Sequence, residues 1–386
     1  MPEIRVAMVT REWPPQVYGG AGVHVVQLAQ ALRRKSTIDL SVHCFGGKRD
    51  DAFGYSSPPE FENANPALQA IATDLLIADA LKNVDIVHSH TWYANMAGHL
   101  AGTMYDIPHV LSAHSLEPLR PWKADQLGAG YQISSWAEKS AIESAAGIIA
   151  VSDGMRADVL ASYPNVDPEK VVTIRNGVDT DKFIPHFDPA TLEKYGITGR
   201  YALFVGRITR QKGLAHLLRA WKEVPDEYGL VLAAGSPDEP GIGQEVADLI
   251  AELQTTRKNI WWIQKMLVHE ELTALLTSAD LFLCPSIYEP LGIVNLEAMG
   301  CATAVLASAV GGIPEVVENH VTGELVEYSP DHRRFENDFR DGIVRMMGQP
   351  DLLTKYGAAG RARAQREFGW DAVATATVNL YSSLLK

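Results

Sequence analysis

The stretch Ile4–Arg34, IRVAMVTREWPPQVYGGAGVHVVQLAQALRR, contains one full repeat of the pattern from which the chain is built. Its opening run, Ile4–Thr10, is apolar but for Arg5 and its end, and short enough for a buried strand. A loop with Trp13, Pro14 and Pro15 leads to Tyr18-Gly19-Gly20-Ala21-Gly22-Val23, after which apolar residues recur at helical spacing from Val23 to Arg34. Glycines at such a turn let backbone approach a ligand while the first amides of the helix point at negative charge. The spacing is Gly-Gly-x-Gly, without the Gly-x-Gly-x-x-Gly of a dinucleotide turn.

Outward from this unit the alternation continues. Apolar runs at Ile38–Phe45, Ile86–Ser89, His109–Ser112, Gly147–Val151 and Val171–Ile174 are separated by helix-period stretches such as Asn65–Lys82. Short, continuously apolar strands between helices predict a parallel sheet covered on both faces. A turn-rich break at Arg175-Asn176-Gly177-Val178-Asp179 follows, and the pattern restarts with strands at Tyr201–Val205, Leu230–Ala234, Ile260–Ile263, Leu281–Cys284 and Ala304–Ala307. The predicted class is therefore α/β, two Rossmann-like doubly wound domains facing across a cleft, where loops at the carboxyl ends of strands receive ligands. The expected division is residues 1–174, residues 175–368, and a final helix, 369–386, returning to the first domain.

The bulk numbers exclude several classes. A chain of 386 residues exceeds what one core usually serves, and 46% hydrophobic with 21% charged residues is ordinary for a globular enzyme. A net charge of −13 argues against a general nucleic-acid binder, whose affinity comes from basic surface. The first apolar run is too short and too charged for a secretory signal, and no stretch reaches the length a membrane helix needs. A cytoplasmic protein without integral membrane segments is expected. Cys44, Cys284 and Cys301 lack metal-ligand spacing and read as reduced packing residues.

Charged and polar residues at strand ends carry the chemistry. Phe204-Val205-Gly206-Arg207 ends a strand, and Gln211-Lys212-Gly213 is expected to begin the next helix, so Arg207 and Lys212 offer two fixed cations to a diphosphate. Glu289-Pro290-Leu291-Gly292-Ile293-Val294-Asn295-Leu296-Glu297 runs from loop into helix, with Glu289 just outside the helix and Glu297 within it. One carboxylate then faces sugar hydroxyls and the other a ribose, while Leu291, Gly292 and Ile293 donate amides to phosphates. His114 closes an apolar strand and is expected to point into the cleft. His88 and His90 share one face of a strand; as a metal pair they lack a third ligand nearby in sequence, and no metal site is assigned. His90 is expected to line the cleft. Asp179-Thr180-Asp181 falls in the interdomain turn and reads as structural.

With these motifs, the chain resembles glycosyltransferase family 4, a family of GT-B fold, nearly end to end. The resemblance rests on the Gly19-Gly20 loop, His114, Asn176-Gly177-Val178-Asp179, Gly206-Arg207 with Lys212, the Glu289–Glu297 block and Gly311-Gly312-Ile313-Pro314-Glu315. It implies that Arg207 and Lys212 neutralise the donor diphosphate, that Glu289 touches the donor sugar, that Glu297 holds the ribose, and that His114 stands beside the reacting carbon. It also implies a retaining hexosyl transfer by same-face attack, in which the leaving phosphate helps accept the acceptor proton. No cofactor and no metal are expected, so activity should survive chelation.

The run from Ala113 to Lys123 is similar to short bacterial enzymes called glycogen synthases, some of which make maltose 1-phosphate. The expected donor is ADP-glucose, with UDP-glucose the alternative. The expected acceptor is glycogen, a maltooligosaccharide or glucose 1-phosphate, joined through an α-1,4 link. Arg156 with Lys123 or Arg120 would receive an acceptor phosphate, beside His90. Val17-Tyr18-Gly19-Gly20 departs from the Lys-Thr-Gly-Gly of long bacterial glycogen synthases and removes one phosphate-binding lysine. A homodimer is left open. The competing readings are a family 4 transferase using a UDP- or GDP-sugar for glycolipid or small-molecule glycosylation, and a non-hydrolysing sugar-nucleotide epimerase.

Overall fold

The structure is a computed structural model describing residues 3–17, 19–124 and 128–386. It divides into two compact units, residues 1–177 with 370–386, and residues 178–369. The first boundary falls after Gly177, where the sequence put it after Ile174. The difference arises because Asn176 is buried with the first unit's core residue His24, whose ring its side chain approaches.

The first unit is built on seven parallel strands: β1 (Ile4–Thr10), β2 (Ile38–Phe45), β3 (Phe53–Tyr55), β4 (Ile86–His90), β5 (His109–Ala113), β6 (Gly147–Ala150) and β7 (Val171–Thr173). Their order is β3-β2-β1-β4-β5-β6-β7. Alternation along β1 explains both layers. Val6 and Met8 join Val25, Leu28 and Leu32 of the helix Gly20–Arg33 on one face. Ala7 and Val9 join Ile77 of the helix Pro66–Ala80 and Ala94, Ala97 and Ala101 of the helix Trp92–Tyr105 on the other. Small alanines there let two helices lie close over the sheet. The final helix, Trp370–Leu384, belongs to the first face: Trp370, Val373, Ala374 and Tyr381 share its core.

The second unit holds β8 (Tyr201–Ile208), β9 (Gly229–Pro237), β10 (Ile260–Ile263), β11 (Leu281–Cys284), β12 (Ala304–Ser308) and β13 (Gly323–Val326), all parallel, in the order β10-β9-β8-β11-β12-β13. Leu217, Leu218 and Trp221 of the helix Leu214–Trp221 and Phe335, Phe339 and Ile343 of the helix His332–Met347 cover the core side of β8, β9 and β11. Filling such a position with alanine costs roughly 3–5 kcal/mol for an aromatic.

Two edge strands escaped the sequence reading. β3 is three residues long with none of them buried, so it carries no apolar signal. In β13, Glu324 stands buried in an ion pair with Arg345, a polar residue where a buried strand reads apolar. In each sheet the chain crosses from one side of the first strand to the other, between β1 and β4 and between β8 and β11. Ligands of doubly wound sheets bind beyond the carboxyl ends of strands at that switch. No helix among the described residues is long and apolar enough to cross a membrane.

Candidate active site

In the second unit, the switch between β8 and β11 brings the motif residues together. The register of β8 against β9 shifts between Arg207 and Ile208, which re-aims the strand end. The Arg207 guanidinium donates to Asp238 Oδ1 at 2.6 Å. Lys212 does not begin the helix, as the sequence suggested: it lies in a 3-10 turn, Arg210–Lys212, and the helix starts at Leu214. The interruption is Gly213, whose φ of +65° and contact with the Pro285 carbonyl leave no room for a Cβ. The Ile287 amide donates to Gln211 O at 2.8 Å, seating this turn against the segment after β11.

That seating sets Lys212 Nζ 2.5 Å from Glu289 Oε2, an oxygen that also accepts from Ser286 Oγ at 3.1 Å. Both side chains are largely shielded, 16% and 9% exposed, so this is a buried charge pair. Burial works against the ammonium, but the Glu289 charge outweighs it, and the Lys212 pKa ends above its ordinary value; Arg207 is near enough to oppose that rise. Lys212 is therefore a full cation at neutral pH. Glu289 is held from behind by Gly311-Gly312: the Gly312 amide donates to Glu289 O at 3.0 Å, and a Cβ on Gly311 (φ +53°) would overlap that carbonyl.

Glu289 stands outside the helix Ile293–Gly300 and Glu297 inside it. Gly292, with φ +93°, caps that helix, and Leu291 is buried behind it. Burial pushes the Glu297 carboxyl up to about 7, against the pull of Lys212. A carboxyl that is half neutral near pH 7 can donate as well as accept, which suits a pair of sugar hydroxyls. Asp179 spends its carboxylate on the amides of Asp181 and Lys182, both at 3.2 Å, the geometry of a structural turn.

In the first unit the glycine loop is organised by Glu12, which accepts the Gly19 amide at 2.9 Å. A Cβ on Gly22 would collide with that carboxylate, so the third glycine serves the loop and not the helix. Gly20 opens the helix with no described atom within 4 Å of where its Cβ would stand. Tyr18 lies outside the described residues.

His114 follows β5 and its Nε2 lies 3.0 Å from Nδ1 of His90, the last residue of β4. His90 is completely buried, so it does not line an open surface as the sequence suggested; it stands behind His114. The reason is the cover over this face of β4, where His24 of the helix Gly20–Arg33 and Trp370 of the last helix pack ring to edge. His88 is satisfied on both sides, by Tyr381 Oη at 2.6 Å and Ser112 Oγ at 2.8 Å. The hydrogen-bond partner of His90 is thus His114 and not His88, and a third ring, His24, which sequence reasoning missed, lies 4.6 Å from that of His114. Helical phase from Gly20 would have placed His24 on the sheet-facing side, yet nothing in the sequence links it to two strands remote from it. Burial holds all three rings below the ordinary histidine range, His114 at about 4, so they are neutral at pH 7.

The other residues proposed for an acceptor have prior duties. Arg120 is ion-paired with the fully buried Glu117, whose second oxygen accepts from Ser134 Oγ at 2.7 Å. Arg156 donates to Val171 O at 3.0 Å and Pro168 O at 3.1 Å, tying the helix Asp153–Ser162 to β7. Lys123, partly exposed, follows Arg120 in a turn closed by its own amide on Arg120 O, 2.9 Å. Beside them is a group the sequence did not single out: Glu138, which accepts from the Glu117 amide at 2.7 Å and from Tyr163 Oη at 2.5 Å. Burial, then the Glu117 charge, pushes it up to about 7.

Comparison with known proteins gives the family and the fold. The family model described as Glycosyltransferase Family 4 matches residues 18–182, and that described as Glycosyl transferases group 1 matches residues 190–363. An alpha-maltose-1-phosphate synthase of Mycolicibacterium smegmatis is 48% identical over 98% of this chain and 99% of its own length. Among solved structures, sucrose-phosphate synthase from Thermosynechococcus elongatus superposes with a TM-score of 0.83 at 22% identity, covering 99% of both chains. Anabaena HepE, solved with UDP and glucose, gives 0.80 at 18% identity over 99% of this chain and 100% of that one.

Proposed function

Because the chain belongs to glycosyltransferase family 4, with the paired Rossmann-like domains of GT-B enzymes, we propose that it transfers glucose, with retention, from a nucleotide-diphosphate glucose. The favoured donor is ADP-glucose, and the favoured acceptor is glucose 1-phosphate or the end of a glucan, joined α-1,4. The relative named for maltose 1-phosphate synthesis, 48% identical along nearly the whole chain, supports this acceptor class. One observation carries the reading: the buried Lys212–Glu289 pair beside Arg207 at the second unit's switch point.

The chemistry follows from charge. Breaking the bond between a hexose and a diphosphate leaves negative charge on the departing oxygen, and preorganised cations are worth most in a site that excludes water. Arg207 and Lys212 already carry carboxylate counter-ions, Asp238 and Glu289, so both are held in place before a donor arrives. On donor binding the diphosphate takes over their charge, Leu291, Gly292 and Ile293 present amides at the helix start, and Glu289 is released to the sugar hydroxyls. Glu297 holds the ribose. Gly19 and Gly20 give the backbone close access to the donor, and His114 accepts or donates one hydrogen bond at the donor sugar with His90 fixing its ring. Neutral histidine suits a step in which positive charge grows at the sugar carbon, since an imidazolium there would oppose it. The acceptor hydroxyl attacks from the face the phosphate leaves, and a phosphate oxygen takes its proton. Arg156, with Lys123 or Arg120, is the proposed seat of an acceptor phosphate, using guanidinium edges beyond those given to Val171, Pro168 and Glu117.

The test is product analysis. Purified protein is given ADP-glucose or UDP-glucose with glucose 1-phosphate or glycogen, and the anomeric configuration is read by NMR. An α product made fastest from ADP-glucose is expected, undiminished by EDTA. A β product, or loss of turnover on chelation restored by magnesium, would overturn the mechanism. Release of an altered nucleotide sugar without any acceptor would mark an epimerase instead.

A further inference from the structure

Three imidazoles from three separate elements meet in the first unit: His24 from the helix Gly20–Arg33, His90 from the end of β4 and His114 after β5. One ring nitrogen from each lies within 4.8 Å of the other two. Two of these rings are buried with unsatisfied nitrogens: neither Nδ1 nor Nε2 of His24, and not Nε2 of His90, has a hydrogen-bond partner among the described residues. An unsatisfied buried polar atom is costly, and here three are gathered in one place. A structural histidine is expected to look like His88, with both nitrogens engaged. Packing therefore explains His88, whereas His24 has only the approach of the Asn176 side chain.

We propose that His24, His90 and His114 form a binding site for one divalent cation of the zinc class, and that its occupancy shuts down glucosyl transfer. Three neutral imidazoles are the donor set of borderline metals such as Zn²⁺, Co²⁺ and Ni²⁺, and unlike that of Mg²⁺ or Ca²⁺, which take oxygen ligands. Metal–nitrogen bonds of about 2.0–2.1 Å in a tetrahedral site require neighbouring ligand nitrogens a little over 3 Å apart. His90 Nδ1 and His114 Nε2 already stand at 3.0 Å. A nitrogen of His24, within 4.8 Å of both, has to draw closer to complete the set. No proton is released, since each neutral ring ligates through one nitrogen and keeps its hydrogen on the other; the hydrogen between His90 and His114 moves to the outer nitrogen of its ring. The dication keeps its charge, so the fourth position takes water or an anion.

The inhibitory half rests on the donor-sugar role proposed for His114: a dication on its Nε2, the nitrogen that faces His90, sets positive charge beside a carbon where positive charge must grow. With turnover proposed to need no metal, the site is a brake. Binding is read first and without reference to activity. Co²⁺ is titrated into the full chain and its visible absorption followed, then Zn²⁺ is used to displace it. One tetrahedral Co²⁺ per chain is expected. His24→Gln should weaken it at least about tenfold, judging by what supporting groups alone contribute to metal affinity, while His24→Cys, which restores a ligand, should recover it. The His24→Gln protein is checked by its melting temperature, and should turn over normally yet lose inhibition by Zn²⁺. Absence of stoichiometric Co²⁺ binding by the unaltered chain, or equal binding by His24→Gln, overturns the site. Binding with no effect on turnover overturns the brake and with it the place of His114 at the donor sugar, leaving the reaction assigned to Arg207 and Lys212 untouched.

Discussion

The two units place their chemistry at the same point of the same topology and fill it with opposite electrostatics. Beyond β8 and β11 the second unit buries a charge pair, Lys212 with Glu289, and flanks it with Arg207 and Asp238. Beyond β1 and β4 the first unit buries neutral rings, His24, His90 and His114, with none of their charge allowed to form. A buried ion pair stays only if both partners stay, so each residue is a condition for the other. Neutral rings impose no such bond on one another. Under the proposed function, one half would compensate charge arriving with a ligand, and the other would present hydrogen bonds without adding charge.

The contrast is most easily broken at Lys212. Lys212→Ala should lower turnover on the order of 10²-fold or more, as loss of an oxyanion donor does, and should cost about 3–5 kcal/mol of stability by leaving Glu289 buried alone. Adding Glu289→Gln should restore the melting temperature and not the rate. A single variant with near-normal kcat would remove the diphosphate role. Next in size is Gly311→Ala, which pushes on the Glu289 carbonyl at a left-handed φ. About 1–3 kcal/mol of strain is expected, read as a lower melting temperature together with reduced kcat; a loss of stability with kcat intact would show that Glu289 need not be held.

For the neutral half, His114→Ala should cost about tenfold in kcat/KM, the worth of one hydrogen bond in free energy, and little stability. A large loss of stability would mean the ring is structural. The smallest effect is that of pH on the two units. Burial holds His24, His43, His88, His90, His109 and His114 below their ordinary range, His43 and His114 at about 4 and His88 and His109 at about 3. A base depressed by folding binds fewer protons folded than unfolded, so stability falls as pH drops below the unfolded value of about 6.5. Glu138 and Glu297, raised to about 7, act the other way: their contribution is present at low pH and lost as pH rises from about 4.5 towards 7. All six of these histidines and Glu138 lie in the first unit, Glu297 and His216, also lowered by burial, in the second, so the depressed rings are concentrated in the first. Calorimetry between pH 7 and 5 should therefore show the first unit's transition move down further than the second's. Equal movement of both would contradict the assignment of neutral rings.

Much of the second unit's site was legible because its residues are close in sequence: Gly206, Arg207 and Lys212 lie around one strand end, and Glu289 to Glu297 along one loop and helix. Each segment has a local physical signature, a glycine break or a proline before a helix, that survives without knowing the neighbours. The helix start at Lys212 was misread because Gly213 is forced into its conformation by Pro285, seventy-odd residues on in the chain. In the first unit the local signals were misleading. His88 and His90 look like a pair on one strand face, yet tertiary packing gave His88 to Tyr381 and His90 to His114. Arg120 and Arg156 look like exposed cations, and folding assigned both to internal partners.

Periodicity of apolar residues sets each strand and helix, because burial on a sheet of period two or a helix of period 3.6 repeats within a few residues. That much, with the two-fold restart of the pattern and the motif proposed to meet a diphosphate, belongs to the sequence alone. Which carboxylate meets which cation, which histidines stay neutral together, and that the last helix closes the first core were decided only when remote segments came to share one buried volume. Electrostatics and desolvation depend on distances through space, and those do not exist until the chain has folded.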